Sequence, residues 1–153
     1  MRTKLVMVGK TERGFVAEGM AHYLERVRHW SRVDEVVVAK SDRATPEEQR
    51  MEEERNLLKA IPSGARLVVL DEIGRTIDSR SFAKKLGDWR DQGAREACFV
   101  IGGAYGLTDA VRERADLLLS LSPMTFPHQL VRVLFAEQLY RAWSILNRTG
   151  YHH

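Results

Sequence analysis

Two loops carry the residues best suited to bind a ligand. One is the glycine-rich turn Gly102-Gly103-Ala104-Tyr105-Gly106, and the other is Leu121-Ser122-Pro123-Met124-Thr125-Phe126. In the second loop, apolar side chains could enclose an aromatic ring while hydroxyls and backbone amides hydrogen-bond its edge. Each loop follows an apolar segment typical of a β-strand. Sheets of α/β proteins bind flat, charged ligands at loops that leave the carboxyl ends of their strands.

Each loop leaves two interpretations open when it is considered alone. The glycines would let the backbone approach a ligand closely, but they also suit a tight strand-to-helix turn. Their spacing is not the dinucleotide-binding G-x-G-x-x-G pattern, and no Lys-Ser or Lys-Thr follows as in a phosphate-binding loop. The second loop, stiffened by Pro123 and Pro127, could be an adenine pocket or a packed connection.

Strands and helices alternate along the chain. The apolar spacing predicts strands over Lys4 to Val8, Val33 to Val38, Arg66 to Leu70, Ala97 to Ile101 and Asp116 to Leu121. It predicts helices over Phe15 to Trp30, from Pro46 with the apolar stripe Met51, Leu58 and Ile61, around Phe82 to Trp89, after the cap Thr108, and over His128 to Asn147. The later strands are apolar on both faces, as in a parallel sheet covered by helices. We therefore predict an α/β three-layer sandwich with a mainly parallel sheet of about five strands, forming one domain over residues 1–153.

The last predicted helix is apolar over most of its circumference. Its polar residues form one stripe, Glu137, Arg141, Ser144 and Arg148. Such a helix must be buried on more than one side, either by a second subunit in a twofold homodimer or by the earlier helices. Arg132 lies within the apolar sector and needs a partner there. That partner could be a ligand carboxylate, a substrate carbonyl, or carboxylate and carbonyl groups across an interface.

The composition excludes several classes of protein. No apolar run approaches the ~20 residues of a membrane span, and the first residues do not lead into a secretory signal. The single cysteine, Cys98, lies in a predicted strand, which favours a buried thiol in a reducing cytoplasm. The five histidines lack metal-ligand spacing, so we expect no metal. A net charge of +3 allows a nucleic-acid partner without requiring one.

Several motifs taken together resemble one family. They are Leu70-Asp71, Ile101-Gly102-Gly103-x-x-Gly106-Leu107, Leu121-Ser122-x-x-Thr125-x-Pro127-His128, Leu130-Val131-Arg132-Val133-Leu134, Glu137-x-Leu139-Tyr140-Arg141-Ala142-Trp143-Ser144-Ile145 and Tyr151-His152. With these motifs the chain is similar to the bacterial ribosomal RNA large-subunit methyltransferase H family of the SPOUT class. The similarity covers the whole chain and is densest from Leu67 onward.

The resemblance implies both a fold and an activity. The fold would be an α/β sheet whose C-terminal part forms a deep trefoil knot, in a homodimer. The activity would be methylation of N3 of pseudouridine 1915 in 23S rRNA, with S-adenosylmethionine as the methyl donor. The positions expected to bind this cofactor are Leu70, Gly102, Gly103, Leu121, Ser122, Pro123, Met124, Thr125 and Phe126. Because the chain is short and its surplus charge is small, we expect recognition of the assembled ribosome rather than of free RNA.

The expected reaction requires N3 of the base to be aligned with the methyl group and to lose its proton. His128 is a candidate base, because the amino end of a helix disfavours its protonated form. Tyr151 and His152 are further candidates if the C-terminal tail folds over the substrate. Arg132 or Arg141 could stabilise the developing negative charge. The alternative for His128 is a helix-end histidine bonded to the backbone, and the alternative for the C-terminal tail is a frayed terminus.

Two functions of other classes stay open from the sequence. A non-catalytic RNA-binding or assembly factor would bind ribosomes without depending on S-adenosylmethionine, and the intact pair of loops argues against it. A nucleotide-dependent enzyme would use the glycine turn to bind phosphate, and the missing phosphate-loop lysine argues against that.

Overall fold

The computed structural model describes all 153 residues and contains five strands and five helices. The strands are β1 (Arg2–Val8), β2 (Val33–Val38), β3 (Arg66–Arg75), β4 (Glu96–Ile101) and β5 (Leu117–Leu119). The helices are α1 (Phe15–Val27), α2 (Pro46–Ala60), α3 (Ser79–Asp91), α4 (Asp109–Glu113) and α5 (His128–Leu146). All strand pairs are parallel, in the order β2-β1-β4-β3-β5. The predicted α/β class and parallel sheet are confirmed.

The sheet separates two hydrophobic cores, which gives the predicted three layers. Alternate residues of β1 belong to different cores, because successive side chains of a strand point to opposite faces. Leu5 and Met7 pack in the larger core with apolar residues of α1, α3 and α5. Val6 and Val8 pack in the smaller core with Leu57 of α2 and with α4. Helices α1, α3 and α5 therefore cover one face of the sheet, and α2 and α4 cover the other.

Most predicted boundaries are right to within a few residues, and the largest error is in β3. We predicted a strand that ends at Leu70, whereas β3 continues to Arg75. After a break in register, Arg75 pairs with Leu119 of β5, and Gly74 lies so close that an added Cβ would be 2.6 Å from the Leu118 carbonyl oxygen. The pattern missed this extension because its residues, mostly polar, are not apolar on both faces.

The apolar stripe predicted for α2 is partly wrong. Met51 is exposed, whereas Leu57 is buried together with the charged residue Glu53. Glu53, Leu57 and Ile61 are spaced four residues apart and so share one face of the helix. The hydrophobicity pattern hid this face because a buried carboxylate occupies its first position.

Helix α5 lies against β4, with α1 on one flank and α3 on the other. The earlier helices therefore cover much of its apolar surface, and Ser144 of the predicted polar stripe is buried as well. Leu130 and Leu134 are only half-buried and lie outside both cores. None of the helices is long and apolar enough to cross a membrane.

The last residue of β3 lies against the segment that follows β5. The backbone N–H of Ser120 donates to the carbonyl oxygen of Arg75 over 2.9 Å, at the point where the chain leaves β5 toward α5. Ser120 belongs to the C-terminal part of the chain, which the family resemblance predicts to be knotted. The threading itself stays a prediction.

Candidate active site

A cavity of about 330 Å³ lies at the carboxyl ends of β3, β4 and β5. It brings together the two loops that the sequence singled out. Most of the residues predicted to bind the cofactor line this cavity: Leu70, Gly102, Gly103, Leu121, Ser122, Met124, Thr125 and Phe126. Pro123 is the one predicted position that does not line the cavity, and it is exposed.

The register of the sheet explains why the two loops meet. Leu70 of β3 pairs with Ile101 of β4 on one side and with Leu119 of β5 on the other. The strands are parallel, so the loops that follow Ile101 and Leu119 leave the same edge of the sheet. Leu70 forms the floor between them, although the two loops are about twenty residues apart in the chain.

Internal hydrogen bonds hold the loop from Leu121 to Phe126 in place. The Ser122 hydroxyl accepts from the backbone N–H of Met124 at 3.0 Å, and Ser120 donates to the Ser122 carbonyl at 2.8 Å. The Thr125 hydroxyl donates to the Glu72 carboxylate at 2.8 Å. The hydroxyls expected to meet a ligand therefore also organise the loop before any ligand binds.

The two adjacent glycines are required by packing against the protein itself. A Cβ on Gly102 would lie 2.9 Å from the Leu107 side chain. A Cβ on Gly103 would lie 2.9 Å from Oε1 of Glu53 and 3.2 Å from Cγ1 of Val8. We expected these glycines to make room for a ligand, but the missing side chains would point into the protein.

Helix α2 supports the glycine turn from behind. The buried carboxylate of Glu53 accepts a hydrogen bond from the backbone N–H of Ser41 at 2.9 Å, and burial raises its pKa. We expected the Thr108 side chain to cap α4, but it makes no capping hydrogen bond. Its hydroxyl donates to Glu54 instead. A helix rich in charged residues thus supports one wall of the cavity.

Acidic residues that we did not predict as functional line the same cavity. Asp71 accepts a hydrogen bond from Nε of Arg112 at 2.8 Å, and Glu72 accepts the Thr125 hydroxyl. Asp71 is the second residue of the Leu70-Asp71 motif, which was the available signal. The cavity therefore combines an apolar floor with two carboxylates and one guanidinium.

His128 begins α5 and lines the cavity. Its half-buried position lowers the pKa of the imidazole, and the charge of Arg132 lowers it further. The expected direction is therefore right, although burial rather than the helix end is the main cause. At neutral pH the ring is predominantly neutral and able to accept a proton.

Arg132 is fully buried and lies outside the cavity. Its terminal nitrogens donate to the Val8 carbonyl at 2.6 Å and to the Thr11 hydroxyl at 2.9 Å. Burial lowers the pKa of this guanidinium. The partners that we expected from a ligand or across an interface are in fact in the same chain, where Arg132 ties α5 to the end of β1.

Arg141, Tyr151 and His152 gather around Glu137, to which we had assigned no catalytic or binding role. Glu137 accepts from Nε of Arg141 at 2.9 Å and from the Tyr151 hydroxyl at 3.1 Å, and Nη1 of Arg141 is 3.0 Å from Nδ1 of His152. The Tyr151 ring packs on Tyr140 with centroids 4.6 Å apart. The C-terminal tail is therefore folded against α5 and is not frayed at Tyr151 and His152.

The group formed by Glu137, Arg141, Tyr151 and His152, which we call the tail cluster, is distant from His128 along the helix. His128 and Arg141 are thirteen residues apart in α5, a separation of about 20 Å. Arg141 and Glu137 instead line a second cavity of about 540 Å³. It shares Leu119, Leu121 and Phe126 with the first. A single chain thus places His128 apart from the group formed by Arg141, Tyr151 and His152, and Arg132 lies in neither cavity.

Comparison with known proteins defines the class to which this fold and cavity belong. The chain belongs to the SPOUT methyltransferase family, because the family model described as "Predicted SPOUT methyltransferase" matches residues 1–152. Two relatives carry the name "Ribosomal RNA large subunit methyltransferase H". The protein from Pelobacter propionicus is 46% identical over 100% of both chains. The protein from Nitratidesulfovibrio vulgaris is 47% identical over 98% of this chain and 97% of its own.

Two solved structures support the fold. A probable methylase family protein from Haemophilus influenzae Rd KW20 matches 99% of this chain and 70% of its own, with a TM-score of 0.55 and 16% identity. A probable methyltransferase from Bordetella pertussis Tohama I matches 92% of this chain and 95% of its own, with a TM-score of 0.55 and 17% identity. No group of three or more His, Cys, Asp or Glu side chains in the chain is arranged to hold a metal ion.

The packing of Gly103 against Glu53 predicts a specific energetic coupling. Gly103→Ala should lower the free energy of unfolding by about 1–3 kcal/mol through overpacking. Glu53→Ala removes the nearest atom that the new methyl group would meet, so the double variant should be more stable than the sum of the single effects. Urea denaturation of the four proteins measures this coupling.

Gly102→Ala provides the matched control, because its new methyl group would meet Leu107 and not Glu53. Its cost should be the same with and without Glu53→Ala. Additive effects of Gly103→Ala and Glu53→Ala would contradict the proposed contact.

Proposed function

We propose that this chain transfers a methyl group from S-adenosylmethionine to N3 of pseudouridine 1915 in 23S rRNA, within the assembled ribosome. The observation that carries the proposal is the cavity formed jointly by the glycine turn and the loop from Leu121 to Phe126. Membership of the SPOUT methyltransferase family and the name of the full-length relatives supply the reaction and the class of RNA. On this proposal residues 1–153 act as one methyltransferase domain in the cytoplasm.

The residues of the cavity fit the proposed methyl donor. The volume of the cavity is at the lower end of the roughly 300–1,000 Å³ typical of small-molecule sites. Leu70, Leu121 and Phe126 offer apolar surface to an adenine ring, and the carboxylates of Asp71 and Glu72 complement a cationic ligand. S-adenosylmethionine, when bound, supplies an electrophilic methyl group on a sulfonium that is a good leaving group.

The chain itself must align the target base and accept its N3 proton. Alignment of two reactants contributes up to ~7–11 kcal/mol, and a positioned base adds about 10²–10⁴-fold. His128 is the base that the cavity favours, because its imidazole is kept neutral by burial. Burial and the bond to Glu137 raise the pKa of Tyr151 to about 12, so its phenol keeps its proton and is a poor base at neutral pH.

Arg141 is the candidate for stabilising negative charge on the base. The hydrogen bond to Glu137 raises the pKa of its guanidinium, which therefore stays charged. His152 lies beside it, with its Nδ1 3.0 Å from Nη1 of Arg141. Arg132 acts on this proposal as a positioning residue, since its terminal nitrogens donate to the Val8 carbonyl at the end of β1 and to the Thr11 hydroxyl just beyond it.

We also infer that a homodimer forms through α5. Leu130 and Leu134 are one turn apart on this helix, half-buried and outside both cores, and they continue toward Glu137 and Arg141. A second copy packed on this face would bury them. It would also provide a route by which the tail cluster of one chain reaches the cavity of the other.

The substrate is tested with labelled S-adenosylmethionine and two ribosome preparations, one with pseudouridine 1915 and one with uridine at that position. We expect label in 23S rRNA of the first preparation alone, and little in protein-free 23S fragments, because the net charge of the chain is only +3 and free RNA would be held weakly. Equal labelling of the free fragments would contradict recognition of the ribosome. Thermal stabilisation by ATP but not by S-adenosylhomocysteine would favour a nucleotide-dependent enzyme instead.

The role of His128 predicts a pH dependence. The lowered pKa means that the neutral imidazole is already populated below the usual value of about 6.5. The kcat should therefore rise with pH below about 6.5 and be flat near neutrality. His128→Ala should lower kcat by about 10²–10⁴-fold, remove this acidic limb, and leave cofactor affinity nearly unchanged. His29→Ala, at an exposed histidine, is the control, and an acidic limb that persists in His128→Ala would assign the base to another group.

Leu134→Glu tests the proposed dimer. The substitution places a charge on the half-buried outer face of α5, where burial against a second copy would leave it unpaired. We expect a dimer for the unmodified chain and a monomer for the variant in sedimentation-velocity experiments, with an unchanged circular dichroism spectrum. Met51→Glu, at an exposed position of α2, should remain dimeric. A monomeric unmodified chain would refute the dimer.

A further inference from the structure

The connection between β1 and α1 carries exposed side chains that the proposed reaction does not use. We define the basic segment as residues 9–15. Within it Lys10 and Arg13 are exposed, and the aromatic side chain of Phe15 is 71% exposed. The next residue, Val16, is buried, as are the other apolar residues that anchor α1. An aromatic ring left in solvent within a few residues of two exposed cations is therefore a distinct surface feature.

The basic segment is held in one conformation by two buried side chains of α5. Gln129 accepts from the backbone N–H of Glu12 at 2.9 Å and donates to the Lys10 carbonyl at 3.1 Å. Arg132 donates to the Thr11 hydroxyl at 2.9 Å. Because the backbone is already fixed at these points, a partner that binds the exposed side chains would not have to order the segment first.

The same turn of α5 connects the basic segment to the cavity. His128, which lines the cavity, immediately precedes Gln129, which fixes the segment. Lys40 also borders the segment, since a Cβ on Gly9 would lie 3.5 Å from the Cβ of Lys40. The surface thus carries Lys10, Arg13 and Lys40 against the single carboxylate of Glu12. It is a net positive surface next to the candidate base.

We propose that the basic segment, together with Lys40, binds the RNA nucleotides that flank the target base. Phe15 stacks on an unpaired base, and Lys10, Arg13 and Lys40 contact the neighbouring phosphates. This inference rests on the proposed function, because it assumes an RNA substrate at the cavity. Single-stranded RNA is commonly bound by aromatic stacking combined with cationic side chains, and these are the two chemistries that the segment displays.

The test measures binding of the full chain to ribosomal particles by co-sedimentation, and kcat and KM for the same particles. Phe15→Ala should weaken binding and raise KM about 5- to 150-fold, the range for loss of one stacked base. Lys10→Ala/Arg13→Ala should weaken binding and reduce the slope of log affinity against log salt by roughly 1.4–1.8, the value for two lost phosphate contacts. Calorimetric affinity for S-adenosylhomocysteine should be unchanged in both variants.

Two matched controls lie on α2, on the other face of the sheet. Met51→Ala removes an exposed apolar side chain, and Arg55→Ala/Lys59→Ala removes two exposed cations. Both should bind ribosomal particles as the unmodified chain does. Equal effects of the control pair and of Lys10→Ala/Arg13→Ala would reduce the result to net charge and overturn the assignment.

The outcomes separate this inference from the proposed function. If the unmodified chain neither binds nor methylates ribosomal particles, both fail. If it does both and Phe15→Ala is unaffected in binding and KM, the inference alone is wrong. If Phe15→Ala changes the oligomeric state in sedimentation velocity, the segment is a subunit contact and not an RNA surface.

Discussion

The parallel pairing of β3 with both β4 and β5 is the constraint on which the site depends. Leu70 lies in register between Ile101 and Leu119, so the loops that follow those two residues leave the sheet side by side. The extension of β3 to Arg75 reinforces this arrangement, because Arg75 bonds to the backbone at Ser120 just before the second loop. The cavity is thus a consequence of strand order and register.

A second set of contacts couples the two ends of the chain. Arg132 and Gln129 of α5 are buried polar side chains whose hydrogen bonds go to the end of β1 and to the β1–α1 connection that follows it. Burying them is favourable only because these partners are in place. They fix where α5 begins, and therefore where His128 enters the cavity. The position of the candidate base thus depends on the first strand as well as on the last helix.

The support of the glycine turn shows what hydrophobic patterning misses. A carboxylate in a charged helix is normally solvated, and Glu53 could not be distinguished by pattern from Glu52 and Glu54. Only the packed structure places it against Gly103 with Ser41 as its donor. The same holds for Glu137, which the pattern places with Arg141 in one polar stripe but not at a centre that also binds Tyr151.

The sequence by itself determined the α/β class, the parallel sheet and the two loops whose residues line the cavity. It could do so because apolar periodicity and turn residues are local signals. The tertiary structure alone decided that Arg132 serves the end of β1, that the glycines face protein, and that Arg141, Tyr151 and His152 form a group apart from His128. These outcomes depend on which distant segments meet, and hydrogen-bond partners across long sequence separations leave no periodic trace in one chain.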